Sequence, residues 1–132
     1  MNLALSDEQV LLREAARDAL SRVDTVPAAR MALEGEGLPD LWPTAREAGW
    51  AGLLIGEQSG GAGLGAFDAM LVMGECGRVL ASVALLGHLP ASALLDAGAG
   101  PGLPELASGE RRAAYLPARP PGDLGGEWTV DA

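Results

Sequence analysis

Residues 41–78 read LWPTAREAGWAGLLIGEQSGGAGLGAFDAMLVMGECGR, and this stretch holds the signals that decide the fold. Its middle part, residues 57–65, places four glycines in nine residues between two apolar segments. A glycine-rich loop in such a position either binds a phosphate group through its backbone amides or reverses the chain at a tight corner. The spacing of the glycines distinguishes the two interpretations.

The glycine spacing fits neither common nucleotide motif. A dinucleotide-binding fingerprint needs G-x-G-x-x-G after a strand, whereas Gly61 and Gly63 are followed by Gly65, one position early. A phosphate-binding P-loop needs a lysine, and this chain contains none. We therefore predict that the loop is a structural corner between two buried helices, with glycines at positive φ angles.

Helical signals lie before the corner. Ser6 and Gln9 have the spacing of a capping box at the start of an amphipathic helix. We predict a loop with a single helical turn over residues 24–40, a short helix that ends at Gly49, and an extended stretch over residues 51–55.

Two nearly apolar helices are predicted after the corner, over residues 67–80 and 82–97, with a kink or a weak turn at Pro90. The polar residues of each helix form one narrow stripe, so most of the remaining surface should be covered. The stripes are Asp68, Glu75, Arg78 and Ser82 in the first helix and His88, Ser92 and Asp96 in the second. A further short helix should end near residue 108.

The composition restricts the possible functions. The 132 residues suffice for one domain with a modest core, and the net charge of −9 disfavours binding to nucleic acid or to an anionic membrane. The single cysteine, Cys76, excludes an internal disulfide, and with only one histidine we expect no metal site. Without a secretory signal or a membrane-spanning apolar run, we expect a cytoplasmic protein.

Taken in order, these motifs resemble the N-terminal helical domain of acyl-CoA dehydrogenases. That family has a helix with Leu-Trp, a Gly-Trp turn, an apolar stretch, an acidic residue, a Gly-Gly-x-Gly loop and a helix that ends in Gly-Arg. The matching residues here are Leu41-Trp42, Gly49-Trp50, residues 53–55, Glu57, residues 60–63 and residues 75–78. The opening LSDEQVLLREAARDAL and the later SGERRAA are similar to the family's first helix and to the Gly-Glu before its first β-strand.

The resemblance covers the chain up to about Tyr115 and implies an all-α fold. It implies an orthogonal or up-and-down helical bundle, followed by the first strand or strands of a β-domain. The helical periodicities predict about four to five helices and no sheet before residue 109. We assign residues 1–108 to the helical domain and residues 109–132 to the start of the middle β-domain or a linker, with β-prone runs around Tyr115 and Trp128. In this family the glycine loop is a structural corner and not the flavin phosphate site.

The resemblance also implies a substrate pocket. The segment SVALLGHLP, residues 82–90, is similar to the family helix that lines the fatty-acyl pocket. This similarity directs Ser82 and Leu86 toward the acyl chain and adds Pro90 to the pocket lining, with Ser82 helping to set the width of the slot. The alternative is that these side chains simply belong to the core.

FAD is the cofactor that the resemblance implies. The family's flavin segment reads Thr-Glu-Pro and then Gly-Ser-Asp, but alignment on Ala114-Tyr115 puts Ala118-Arg119-Pro120 and then PGDLGG at these positions. Tyr115 remains as a candidate contact to the cofactor. The family's catalytic glutamate comes from a C-terminal bundle, so no residue here is assigned a catalytic role. We expect the isolated chain to have neither bound FAD nor dehydrogenase activity.

Three interpretations of the function remain open. The chain is the N-terminal portion or a subunit of a flavin-dependent acyl-CoA dehydrogenase, which acts between the α and β carbons of an acyl-CoA thioester. In the second interpretation, it is a non-catalytic partner subunit or docking module of a hetero-oligomeric dehydrogenase, which the missing Thr-Glu-Pro favours. In the third, it is an unrelated helical bundle. The apolar helices also predict a homo- or hetero-oligomer in which another chain covers Leu86, Leu89 and Leu94, or their neighbours on that face.

Overall fold

The computed structural model describes residues 4–115, and all regular structure in this range is helical. Six α-helices follow one another: α1 Asp7–Ser21, α2 Thr25–Ala32, α3 Trp42–Glu47, α4 Ala66–Arg78, α5 Leu85–Ala97 and α6 Leu103–Ala107. Short 3-10 turns cover Trp50–Gly52 and Glu57–Ser59. Residues 4–115 contain no strand, which confirms the all-α prediction for this part, with six helices instead of four to five.

The predicted second domain falls mostly outside the described residues. Residues 112–115 have no regular secondary structure, and the β-prone run around Trp128 lies wholly outside the described range. The boundary after residue 108 therefore stays a prediction. None of the helices within residues 4–115 has the length and apolar character that crossing a membrane would require.

Helix α1 begins with the predicted capping box. The Ser6 hydroxyl accepts a hydrogen bond from the backbone N–H of Gln9 at 3.2 Å, and the Gln9 side chain accepts one from the Ser6 N–H at 3.1 Å. These two bonds satisfy amides that a helix start leaves without intrahelical partners. The buried side chains Ala16 and Leu20 then pack α1 against α4 and the main core.

Two residues of the polar stripe of α4, Asp68 and Glu75, face α1. Asp68 accepts a hydrogen bond from the side chain of Gln9 at 3.0 Å, and the buried Glu75 pairs with Arg17 at 2.9 Å. Because α1 covers the polar side, part of the apolar side of α4 is left open, and Phe67 and Met70 are exposed. The expected burial of most of this helix is therefore not met by contacts within residues 4–115.

Three local predictions are wrong. Residues 25–32 form a helix where a loop with one turn was expected, because Pro27 is its third residue, where the missing N–H needs no intrahelical partner. Residues 51–55 are not extended but continue from a 3-10 turn, since their carbonyls accept hydrogen bonds from the glycine loop. Helix α5 begins at Leu85 and not at residue 82, because the Ser82 carbonyl accepts the N–H of Leu41 at 3.0 Å.

Two clusters of buried side chains form the core. The main cluster lies between α1, α3, α4 and α5 and includes Trp42, Trp50 and Leu85. A second cluster joins Ile55, at the corner, to Leu106 and its neighbours on α6. The corner therefore lies between the two clusters and has little freedom to move.

The glycine loop is the structural corner that the spacing predicts. Its successive N–H groups, from Gly61 to Leu64, donate to the carbonyls of Gly56, Gly52, Ile55 and Leu53 at 2.8 to 3.2 Å. Gly60 and Gly63 have φ angles of 84° and 61°, in the left-handed region that favours glycine. A Cβ added at Gly61 would lie 2.1 Å from the carbonyl oxygen of Ile55, so only glycine fits there.

Helix α5 runs through Pro90 without interruption, where the sequence predicts a kink or a weak turn. Proline removes the hydrogen bond to the carbonyl of residue i−4, which is that of Leu86. Leu86 is exposed, so water can hydrogen-bond to this carbonyl instead. Ala99, two residues after the end of α5, lies in the left-handed region at a φ of 49°.

Candidate functional site

The residues predicted to face a substrate lie on or just before α5 but do not share one cavity. Ser82 precedes α5 and lines an open apolar cavity of about 700 Å³ between α2 and residues 80–82. Leu86 and Pro90 lie one turn apart on α5, and Leu86 is 76% exposed. Ser82 therefore faces a cavity within the described residues, whereas Leu86 faces outward.

The wall of this cavity comes mainly from α2, the helix that was not predicted. Its described lining consists of Val26, Ala29, Arg30, Ala32, Leu33, Leu38, Leu80, Ala81 and Ser82. Apart from Arg30 and Ser82, these side chains are apolar, which suits a hydrocarbon group. The sequence signal that could have revealed the wall is the helical spacing of Val26, Ala29 and Leu33.

Tyr115, the candidate cofactor contact, lies beside the start of α5. Its backbone N–H donates to the carbonyl of Gly87 at 3.1 Å, and its side chain is exposed. The structure thus brings the backbone of Tyr115 to Gly87, the residue that follows Leu86 on α5. The replaced flavin motif at Ala118-Arg119-Pro120 lies outside the described residues.

His88 forms a polar centre that the sequence did not identify as functional. Its ring is fully buried, with Nε2 3.1 Å from the carbonyl oxygen of Ala51 and Nδ1 3.1 Å from the backbone nitrogen of Ala113. The Ala113 N–H is a donor, so Nδ1 is the acceptor. The ring proton is therefore on Nε2, which donates a hydrogen bond to the carbonyl oxygen of Ala51. Burial lowers the pKa of His88, against the opposing effect of the Ala51 and Leu106 carbonyls.

Trp42 connects this histidine to the residues that follow α6. Its ring lies edge-on to His88, with ring centroids 4.9 Å apart at 72°, and its Nε1 donates to the carbonyl of Gly109 at 2.8 Å. Arg112 lies over the indole, 4.9 Å from the ring centroid, and pairs with Asp40. The hydrogen bond from Arg112 lowers the pKa of Asp40, helped by the backbone N–H of Trp42.

We call residues 109–115 the exit segment, because three kinds of contact fix it to the helices. They are the indole bond to Gly109, the Arg112 contacts with Trp42 and Asp40, and the backbone bonds of Ala113 and Tyr115. In the sequence only the helical spacing of His88, Ser92 and Asp96 pointed to this region. That spacing does mark inward-facing polar groups, since Ser92 is also buried and Asp96 accepts the Gly56 N–H at 3.2 Å.

Two ionisable side chains of α4, Glu75 and Cys76, are held in unreactive states. Glu75 accepts hydrogen bonds from Arg17 at 2.9 Å and from Arg78 at 2.8 Å, and the Arg17 bond is the main reason its pKa is lowered. A carboxylate held as a stable anion is a weak general base. Burial raises the pKa of Cys76 to about 11, so its thiol is protonated and a poor nucleophile at neutral pH.

The described residues offer no cradle for a flavin phosphate or a metal ion. The amides of the glycine corner already donate to protein carbonyls, and a Cβ-sized atom does not fit at Gly61. Within residues 4–115, no group of three or more His, Cys, Asp or Glu is gathered closely enough to hold a metal.

Comparison with known proteins gives two matches along most of the chain. Residues 6–119 match the family model for the acyl-CoA dehydrogenase N-terminal domain. Over 111 residues the chain is 39% identical to acyl-CoA dehydrogenase IpdE2 of Mycolicibacterium smegmatis, an alignment that covers 81% of this chain and 36% of that protein. The chain thus spans about a third of the length of this curated relative. No solved structure shows a significant match.

Proposed function

The chain belongs to the acyl-CoA dehydrogenase family, and we propose that it forms the N-terminal helical domain of an enzyme that dehydrogenates acyl-CoA thioesters between the α and β carbons. The observation that carries this proposal is the family match over residues 6–119. The helical structure and the corner of residues 57–65 agree with it.

The apolar surfaces around α5 support an acyl group as the substrate portion that this domain contacts. Ser82 lines a cavity of about 700 Å³ with mostly apolar walls, and Leu86 and Pro90 add apolar surface on the adjoining helix. Small-molecule sites are concave and mostly apolar, with few polar groups that fix orientation. We propose that Ser82 faces the acyl group from this cavity and helps to set the width of the slot, and that Leu86 and Pro90 offer it apolar surface on α5.

The family is FAD-dependent, and in the complete enzyme FAD would accept the hydride that leaves the substrate. Residues 4–115 do not fit the role of its main binding site, because the corner amides are already paired. Among the described residues, we propose only the surface beside Tyr115 as a contact to the cofactor. The base that removes the α-proton is not proposed among the described residues, since Glu75 is buried between two arginines.

A second candidate is a non-catalytic partner subunit of a hetero-oligomeric dehydrogenase. The observation that favours it is the sequence Ala118-Arg119-Pro120 in place of the family's Thr-Glu-Pro. Both candidates include an oligomer of dehydrogenase subunits in the cytoplasm. They differ in flavin content, with one flavin per copy of this chain in the first and one per pair of unlike chains in the second.

Affinity purification of the tagged protein from the cells that produce it tests the proposal. We expect the purified complex to show flavin absorbance and to reduce a dye in the presence of an acyl-CoA. Leu86→Gln should raise the KM for acyl-CoA. Leu11→Gln, which changes an exposed leucine on the separate helix α1, should not. A complex without flavin that reduces no dye with short, medium or long acyl-CoA would contradict both candidates.

A further inference from the structure

His88 joins two separate parts of the chain through opposite hydrogen-bonding roles. The ring donates from Nε2 to the carbonyl of Ala51, in the 3-10 turn after α3, and accepts at Nδ1 from the N–H of Ala113, in the exit segment. Both distances are 3.1 Å, and the ring is fully buried. Only a neutral imidazole with its proton on Nε2 can make both bonds, because a protonated ring has two donors and no acceptor.

We propose that neutral His88 is a positioning residue that fixes the exit segment on α5, and that protonation of its ring releases this segment. Protonation places an N–H group on Nδ1, facing the N–H of Ala113 at the same short distance. Two donors cannot form a hydrogen bond, so the Ala113 bond is lost and the buried ring gains an uncompensated charge.

The release acts on contacts next to the histidine. The bond from the Tyr115 N–H to the Gly87 carbonyl lies two residues after Ala113 and one residue before His88. The Trp42 indole packs edge-on against the same imidazole and holds Gly109. Loss of the Ala113 bond therefore loosens the Tyr115 end of the exit segment, whereas the Gly109 end keeps its own bond to the indole.

The charged groups around His88 do not oppose this behaviour. On the exit segment, Arg112 lies over the ring of the Trp42 indole, and Asp40 pairs with it. On α5 itself, Asp96 lies two turns away and accepts the Gly56 N–H. Neither a carboxylate nor a cation of the described residues contributes to the shift in the pKa of His88, which burial lowers while two backbone carbonyls oppose it.

The direction of the pH effect follows from this. A histidine with a lowered pKa in the folded state contributes stability that is complete above its unfolded pKa of about 6.5 and is lost as the pH falls toward the folded pKa. The exit segment should therefore be fully docked at neutral pH and above. If the chain has the proposed function, the segment leads from the helical domain toward the rest of the enzyme, so acid would loosen this connection.

NMR of the ¹⁵N-labelled chain tests the proposal without any enzyme assay, so its outcome does not depend on the proposed function. We expect the imidazole nitrogens to report the Nε2–H tautomer at pH 7.5. We also expect the amide shift of Ala113 to titrate with the same midpoint as the His88 ring, and its exchange protection factor to fall about fivefold or more as the ring is protonated. An opposite tautomer, or an Ala113 amide that is equally protected at pH 7.5 and after ring protonation, would overturn the proposal.

Two variants separate positioning from a general structural role. His88→Gln keeps a neutral donor and acceptor, so the Ala113 amide should stay protected and lose its pH dependence. Arg112→Met removes the charge on the exit segment but leaves His88, so the titration of Ala113 should persist. If the titration of Ala113 survives in His88→Gln, another group causes it and the proposal fails. If either variant does not fold, the measurements on the unaltered chain decide.

Discussion

The indole Nε1 of Trp42 donates a hydrogen bond to the carbonyl oxygen of Gly109 at 2.8 Å, across 67 positions of the chain. Both groups are buried. The bond joins the first residue of α3 to the beginning of the exit segment, and the same indole contacts His88 and Arg112. One aromatic side chain therefore connects the helical core to the residues that leave it.

Trp42→Phe should lower the free energy of unfolding by about 1–3 kcal/mol, because it leaves the buried Gly109 carbonyl without its donor. Arg112→Met is the comparison, since it removes the cation over the indole and the ion pair with Asp40 but keeps the indole bond. Both Arg112 and Asp40 are about half exposed, so its effect should stay below about 1 kcal/mol. Urea unfolding of both variants measures the difference, and an equal loss in the two would contradict the assigned role of the Gly109 bond.

Gly61→Ala should destabilise the fold by about 3 kcal/mol. The new methyl group would meet the Ile55 carbonyl oxygen at 2.1 Å, and this backbone cannot move away without breaking the corner. Gly74→Ala is the matched control, because Gly74 lies in α4 with nothing within 4 Å of an added Cβ. The free energy of unfolding of Gly74→Ala should rise by about 0.5–1 kcal/mol, as helix propensity predicts. Thermal unfolding followed by circular dichroism checks both signs.

Ala99→Gly should stabilise the protein by about 0.5–1 kcal/mol. Ala99 follows the last turn of α5 at a φ of 49°, and the N–H groups of Ala99 and Gly100 donate to the carbonyls of Asp96 and Leu95. This is the helix-ending arrangement in which glycine is usually found at the left-handed residue. Ala97→Gly, inside the same last turn, should instead destabilise by about 0.5–1 kcal/mol. Opposite shifts in Tm are expected, and shifts of the same sign would refute the explanation.

Glu75→Gln should lower the free energy of unfolding by about 1–2 kcal/mol at neutral pH, a modest value because Arg17 and Arg78 are about half exposed. The pKa of Glu75 is lowered in the folded state, mainly by the bond from Arg17. Its contribution is therefore complete above the ordinary glutamate pKa of about 4.3 and is lost as the pH falls through the lowered value. The stability of the variant should depend less on pH in this acid range. The control Glu36→Gln, at an exposed loop position, should leave the free energy of unfolding at neutral pH nearly unchanged.

The outward face of α5 should promote association. Leu86 and Leu94 are 76% and 59% exposed, whereas Leu89 is only 3% exposed and belongs to the core, so the prediction that another chain covers Leu89 is wrong. Changing Leu86 and Leu94 together to Gln should reduce self-association and binding of the dye ANS with little loss of stability. Leu89→Ala should instead cost about 2–5 kcal/mol. Sedimentation at micromolar concentration decides, and an unaltered chain that is monomeric and binds no ANS would contradict the expectation.

The helices with strong local signals were the ones that the sequence predicted well. The capping box at Ser6 and Gln9 forms as expected, since its bonds join residues three apart. Helix α2 was missed because Pro27 and the glycines that follow residue 32 suggest a loop, although a proline in the first turn is compatible with a helix. For the site, the sequence placed Ser82, Leu86 and Pro90 near one another along the chain. Their separation between a cavity and an exposed face depends on where α2 packs, and periodicity within 82–90 cannot show this.

By itself, the sequence determined the all-α character of the described part, the family and the corner at residues 57–65, because local spacing and residue type control helix starts, apolar faces and glycine turns. Only the tertiary structure decided the state of the buried polar groups. His88, Glu75 and Trp42 each have one hydrogen-bond partner more than 30 positions away in the chain, namely Ala51, Arg17 and Gly109. Whether such a side chain is neutral, charged or hydrogen-bonded depends on the groups that packing brings to it, and the free energy of removing it from water makes those partners necessary.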